Sequence, residues 1–396
     1  MESNIVDQVF NNEYFKINKK ILILCGLWPY SSKLGNIVKR LFIVMVLSGV
    51  SFPHINAIRM WCGKDLGLCA ENIAATVYSA GVLTKYSVVI LKEKKMAKVY
   101  NLLTSTWSWI VDSTEKQIMF ENAKIAKLKT IGYAGYLAIA AIAFTQTGMI
   151  PTILDITIPL NESRPKIQVV HAEYIVDQDE YFFEIYCIYC VVGVVSSMVL
   201  VSIDTVYTVV VHQNLAVFGI IKYRLHLATE NPKQGLPKEH DFAYNTIISA
   251  IRLHQKAIEF NNLMENTFEI LSLCLIIICV LFLSFGAITI LENSDNIIDL
   301  TRMSMLEFGV VIHLLYLSWP GQLIISESSD LFVQIYTNKW YNISPRAKVL
   351  LQIMMLRCIK PSSLTAAGLY VMNFENYAAI IKSTMSYITV LASFRD

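Results

Sequence analysis

Apolar residues in this chain come in long, nearly charge-free runs, and seven of them, near 38–60, 68–91, 130–151, 182–212, 268–291, 304–326 and 376–394, reach membrane-spanning length. A helix rises 1.5 Å per residue, so about 20 apolar residues cross ~30 Å of hydrocarbon. Each window therefore predicts a transmembrane helix. The run Leu350-Leu351-Gln352-Ile353-Met354-Met355-Leu356 is apolar but too short to span before Arg357, and predicts part of a buried helix outside the bilayer. The expected fold is an all-α membrane protein, one seven-helix domain over residues 1–396, with its termini on opposite sides of the membrane.

Composition agrees: 55% of residues are hydrophobic and only 16% charged, which is too little polar surface for a soluble domain of this size. The first 34 residues carry Glu2, Asp7 and Glu13 and no apolar core ahead of a small-residue cleavage site, so no cleavable signal is expected and the first span directs insertion. The eight cysteines show no metal-ligand spacing, and no cofactor or nucleic-acid partner is expected. Cys62 and Cys69 flank a short outer loop; a disulfide there and two small buried side chains are both open readings.

Positive charge decides the orientation, because lysine and arginine accumulate on cytoplasmic segments. The amino-terminal segment and the second, fourth and sixth loops carry six, eight, six and five, against six in all on the alternate set. The amino terminus is therefore cytoplasmic and the carboxyl terminus extracellular, the reverse of a G-protein-coupled receptor. Asn161-Glu162-Ser163 falls on an outer loop, where a glycosylation acceptor is usable, whereas Asn342-Ile343-Ser344 falls inside and is expected to be silent.

The carboxyl-terminal region is the most distinctive. It runs Tyr336, Trp340, Pro345, Arg357, Pro361, Leu364-Thr365-Ala366, Gly368, Phe374, Ile381-Lys382, then Ser386-Tyr387-Ile388-Thr389-Val390-Leu391. With an inverted seven-helix layout, this region resembles the insect odorant receptors, whose tail has a proline before a Leu-Thr-Ala turn and a Ser-Tyr-Phe-Thr-Leu-Leu ending. Ile388 and Val390 replace two apolar members of that pattern. The resemblance implies a ligand-gated, non-selective cation channel assembled as a heterotetramer with a shared odorant co-receptor in the plasma membrane of an olfactory sensory neuron. The co-receptor has a longer fourth cytoplasmic region than 213–267, so the chain is expected to be a ligand-tuning subunit.

On a helix turning about 100° per residue, Ser386, Thr389, Val390 and Ser393 share one stripe with Lys382, while Ile381, Met385 and Leu391 fall elsewhere. Read from residues alone, such hydroxyls serve close packing or bond back to their own helix. Read with the resemblance, 376–394 lines a pore, Val390 aligns with its apolar constriction and Phe394 lies one turn further out. A small volatile ligand needs an apolar cavity with a few polar handles. The candidates on the outer halves of the spans are Tyr78, Gly81, Phe144, Thr145, Gln146, Tyr186, Tyr189, Phe308 and His313; taken singly, each reads first as bundle packing or an interfacial aromatic, and only as a set do they suggest a pocket. Lys85 and Asp204 are ionisable groups toward the cytoplasmic ends of their spans, and a mutual pair or plain snorkelling to the interface would each account for them. Segments 213–267 and 327–360 are expected to form a cytoplasmic helical anchor, with Tyr336 and Trp340 at a subunit interface or packed within one chain.

Three other functions compete. A gustatory-type receptor of the same architecture would carry a glutamine before the last aromatic residue, which Ala392-Ser393-Phe394 lacks. A G-protein-coupled receptor is opposed by the orientation and by the missing Asp-Arg-Tyr and Asn-Pro-x-x-Tyr signatures. A transporter or intramembrane enzyme would need inverted repeats, paired aspartates or a nucleophile motif, and none is present.

Overall fold

The computed structural model describes residues 2–110, 112–160, 162–230, 241–292 and 297–393; Asn161, Phe394 and the breaker-rich linker at 231–237 lie outside the described residues. Two short helices, α1 (Glu2–Phe10) and α2 (Lys16–Leu24), lead to α3 (Lys33–Gly49) and α4 (Ser51–Trp61), which together make the first crossing. The crossing breaks at Val50 because Pro53, in the first turn of α4, offers no N–H to the carbonyls behind it. There follow α5 (Leu66–Leu91), α6 (Glu93–Ser108), α7 (Ser113–Gln146), α8 (Ile150–Thr157), α9 (Phe182–Glu230), α10 (Phe242–Glu292), α11 (Ile297–Thr337) and α12 (Pro345–Cys358). An antiparallel ribbon, β1 (Thr365–Ala366) on β2 (Tyr370–Val371), then leads into α13 (Phe374–Ser393).

Among the described residues six crossings are long and apolar enough to span a membrane, which makes this a multi-pass membrane protein. The seventh, α13, has the length but is less apolar, since Lys382 and its hydroxyl residues interrupt it. α9 and α10 run for 49 and 51 residues. That is about 75 Å at 1.5 Å per residue, more than twice the hydrocarbon thickness. Their inner halves are kept helical by a second core outside the bilayer, in which Ile221, Leu225, Ile247, Leu331, Leu351 and Met354 meet. The short apolar run 350–356 thus becomes the buried face of α12. On α10 the buried seam runs through Ile247, Ala250, Leu253, Ala257 and Phe260. Small alanines there let helices approach closely, whereas Ile248, Ile251 and Ile258 sit only partly covered. The α7–α9 contact in this region is fixed by Arg224, whose Nε and Nη2 donate to the two oxygens of Glu115 at 2.6 and 2.8 Å.

The ribbon docks on α11 at one point that demands glycine. A Cβ at Gly321 would lie 2.1 Å from the Met372 carbonyl oxygen, so any side chain there would push the ribbon, and the start of α13, off the bundle.

Two charged clusters tie the membrane part together. In its inner half, Lys85 of α5 pairs with Asp204 of α9, both side chains 1% exposed. The other Asp204 oxygen accepts from Tyr133 Oη of α7 at 2.9 Å, and Tyr133 Oη lies 2.8 Å from His313 Nδ1 of α11. At the outer surface, the segment 158–181 is clamped by Arg302. Its Nη1 donates to the carbonyls of Gln168 and Val169 at 3.0 Å each, and its Nη2 to Glu71 at 2.6 Å. Trp61 Nε1 donates to Glu173 at 2.8 Å, and Cys62 and Cys69 are joined by a disulfide, the first of the two readings left open above. His171 Nδ1 lies 3.0 Å from Glu71, and that carboxylate raises the His171 pKa above its ordinary value against the opposing effect of burial and of Arg302.

Two outcomes follow. Lys85→Met or Asp204→Asn alone strands a charge or a cation's partner in the bundle, and each is expected to cost about 3–5 kcal/mol. The pair of substitutions together should cost clearly less than their sum, measured by thermal unfolding of the detergent-solubilised protein; additive losses would mean that the two groups do not interact. Because the folded His171 pKa is raised, its contribution is complete below the unfolded value of about 6.5 and is lost as pH rises through the folded value. The side chain is 38% exposed, so solvent weakens the effect and Arg302 carries most of the tie. Amide exchange across 166–173, corrected for intrinsic rates, should be modestly slower at pH 6 than at pH 8, and His171→Gln should erase the difference.

Candidate functional site

Between the two charged clusters the bundle encloses a cavity of about 240 Å³, walled by α5, α7, α9, α10 and α11 and closed above by Val170 of the outer segment. One water's share of liquid volume is ~30 Å³, so the cavity equals about eight waters. Its walls are mainly aliphatic and aromatic, with Val82, Leu137, Ala140, Val192, Ile278 and Phe282 among them. The helices can approach this closely because of small residues. A Cβ at Gly81 would meet Ile278 Cγ2 at 2.7 Å, and one at Gly193 would sit 3.7 Å from Thr145.

Polar groups gather at the two ends. At the outer end are Arg302, Glu71 and His54, the last held by Asn72 at 2.9 Å on Nδ1 and by Tyr189 Oη at 3.2 Å on Nε2. At the deep end is His313. Arg302 and His313 are both on α11, eleven residues apart, which is roughly 16 Å along the axis. A molecule of the cavity's size reaches one end or the other.

Of the nine pocket residues expected from sequence, Tyr78, Gly81, Phe144, Thr145, Tyr189 and His313 line this cavity. The other three lie elsewhere. Gln146 Nε2 donates to Tyr186 Oη at 2.9 Å in an exposed pair, and Phe308 is 61% exposed on the outward side of α11. Sequence reasoning missed Glu71 and Arg302, which read as ordinary outer charges. Their signal was a lone carboxylate and a lone guanidinium at the outer ends of two otherwise apolar helices. It missed Tyr133 as well, because an aromatic residue in a span says nothing of its hydroxyl's partner.

The stripe expected to line a pore lies on a sparsely covered helix, α13. Ser386, Thr389 and Ser393 are exposed and Val390 is 51% exposed, while α13 rests on α10 and α11 through Tyr377 and Ile380. Thr389 and Ser393 donate to carbonyls of their own helix, at 2.9 and 2.8 Å. At the cytoplasmic end, Tyr336 and Trp340 are also exposed, at 65% and 38%. No cluster of three or more potential metal ligands occurs among the described residues.

The chain has relatives. A family model described as the 7tm odorant receptors matches residues 65–385. Odorant receptor 10 of Aedes albopictus is 24% identical over 181 residues, covering 44% of this chain and 47% of that receptor. The odorant receptor coreceptor of Drosophila melanogaster is 28% identical over 75 residues, 19% of this chain and 15% of that protein. The chain thus matches about half, or less, of the length of these curated relatives. Among solved structures, the insect olfactory receptor OR5 from Machilis hrabei in complex with eugenol superposes with a TM-score of 0.78 at 13% identity, covering 98% of this chain and 100% of the other. The fold is therefore that of the insect olfactory receptors, and family members are receptors rather than enzymes. With the family model matching most of its length, this chain belongs to the 7tm odorant receptor family.

Proposed function

We propose that this chain is the ligand-tuning subunit of a ligand-gated, non-selective cation channel, taking a small volatile molecule into the cavity and opening a pore lined by α13. The observation that carries the proposal is the cavity itself: about 240 Å³ of mainly apolar space inside the bundle, with Glu71 and Arg302 at one end and His313 at the other, in a chain of the odorant receptor family. A molecule described as a volatile has few polar atoms to satisfy, and this cavity offers few. The similar structure from Machilis hrabei was solved with eugenol, itself a small aromatic volatile.

Burying about eight carbons at ~0.8 kcal/mol each gives about 6 kcal/mol, which corresponds to dissociation constants in the tens of micromolar. Affinity in this range suits a receptor that must release its ligand. The exposed stripe of α13 supports the pore reading. The free side of α13 carries hydroxyls beside Val390, which suits a water-filled lumen between subunits, with Ser386, Thr389, Val390 and Ser393 facing it. Thr389 and Ser393 satisfy their hydroxyls within the helix and so do not tax Val390's role as an apolar constriction.

Coreceptors among the relatives support a heterotetramer with an odorant co-receptor. The inner extensions 213–267 and 327–360, with exposed Tyr336 and Trp340, would form the anchor where subunits meet. The receptor would lie in the plasma membrane of an olfactory neuron, glycosylated at Asn161.

Whole-cell recording tests this. Cells expressing the chain with an insect co-receptor should give fast cation currents to members of a volatile panel, and cells expressing either alone should not give the same ligand profile. Gly193→Phe places a ring in the cavity, where the site of its Cβ has only ordinary contacts. It should raise half-maximal concentrations at least tenfold, about 1.4 kcal/mol, at unchanged surface expression. Val390→Ala should alter permeation or resting current without shifting those concentrations. Ligand responses indifferent to Gly193→Phe would remove the cavity from the mechanism.

A further inference from the structure

We infer that the deep end of the cavity is a fixed hydrogen-bond acceptor, His313 Nε2, and that the receptor is therefore tuned to ligands bearing a hydroxyl, alcohols or phenols, over ethers and ketones of the same skeleton. The inference rests on the ligand-cavity reading above and adds the chemical class.

The argument is one of counting protons. Tyr133 Oη has a single proton and two neighbours, Asp204 Oδ2 at 2.9 Å and His313 Nδ1 at 2.8 Å. A carboxylate is the stronger acceptor, and the charge-assisted bond takes the proton. The tyrosine oxygen then has only lone pairs to offer His313, so Nδ1 must be the protonated nitrogen. Its position 3.6 Å from Asp204 Oδ2 favours the same tautomer, since an Nδ1 lone pair there would face a negative oxygen. Lys85 on the far side of Asp204 pairs with its other oxygen and holds the carboxylate in place. In the neutral ring this leaves the lone pair on Nε2.

Nε2 has no protein partner among the described residues, while His313 lines the cavity and its side chain is 14% exposed. A bare acceptor in an apolar cavity is a selective element. A hydroxyl satisfies it. An ether or ketone sets a second acceptor against it and leaves both unpaired. The other polar groups do not discriminate in this way. The hydroxyls of Tyr78, Tyr136 and Ser79 can give or take a proton. At the outer end, both Glu71 oxygens are already engaged, by Arg302 and His171, and Arg302 spends Nη1 and Nη2 on the protein with its Nε walled in by neighbours.

The test uses the intact channel with its co-receptor and matched probes: 1-octanol against methyl heptyl ether and 2-octanone, and 4-ethylphenol against 4-ethylanisole. Half-maximal concentrations for the hydroxylated member should be about tenfold to a hundredfold lower, the range set by one unsatisfied buried acceptor. His313→Phe should bring that ratio to about one. His313→Gln, whose amide can both give and take, should do the same while improving the ketone response. The ratio in the unmodified channel needs no variant, so misfolding of a variant leaves the test standing. A ratio near one there, as when a water masks Nε2, overturns the inference, as do a ratio kept in His313→Phe and silence toward every hydroxylated probe. The underlying reading fails separately: responses that Gly193→Phe leaves untouched reject the cavity as the binding site, whereas sensitivity to Gly193→Phe with a ratio of one rejects only the acceptor.

Discussion

The buried pair of Lys85 and Asp204 is the constraint on which the membrane part of this protein depends. Each charge in hydrocarbon costs several kcal/mol, and neither has an escape to water, since both side chains are 1% exposed. The pair is tolerable only while intact, and Tyr133 adds the neutral bond that completes the carboxylate's shell. Four helices, α5, α7, α9 and α11, are thereby held in one register at one level. Loosening any of them exposes a charge, so the inner half of the bundle behaves as a rigid floor.

The outer cluster performs the same service at the opposite face. Arg302 satisfies two loop carbonyls and Glu71 with one guanidinium, which turns the outer segment from a loose connection into a roof. A bundle fixed at both ends need not close perfectly in the middle, and the cavity occupies that middle. Its walls lack strong directional bonds for the same reason that its ends have them. α11 is the element common to every part. It contributes Arg302 to the roof and His313 to the floor, it contacts α13 through Leu314, and it seats the ribbon at Gly321. A ligand that shifts α11 between roof and floor has a direct mechanical route to α13 through packed side chains rather than through an unconnected distance.

Much of this was legible in the sequence because the bilayer imposes a strong and simple code. Span number follows from run length and orientation from lysine and arginine, while the pairing of Lys85 with Asp204 was one of two readings, beside snorkelling, that the structure separates. The packing of the inner helical extensions was not legible: hydrophobicity ranks isoleucine over alanine, while close helix packing on α10 puts Ala250 and Ala257 at the seam. The cavity was half legible. Tyr78, Gly81, Phe144, Thr145, Tyr189 and His313 meet around it, yet Phe308, five residues before His313 on α11, points away, because rotation about a helix axis depends on neighbours that one helix's pattern does not specify. Arg302 escaped notice since a charge near a span end is ordinarily a solvated one.

The division between fold and chemistry follows from the same forces. Run lengths, charge asymmetry and a few close approaches such as Gly321 tolerate wide substitution, which is how a chain can keep its family's architecture across its whole length while sharing few identities. The tautomer of a histidine does not tolerate it. On the inference above, His313 presents Nε2 because the Tyr133 hydroxyl donates its hydrogen bond to Asp204, whose other oxygen is held by Lys85. Neither Lys85 nor Asp204 can be replaced alone without stranding its partner, so what the cavity presents is tied to what holds the bundle together. Selectivity in such a receptor therefore lies in the few buried polar residues that the apolar bundle can accommodate at all.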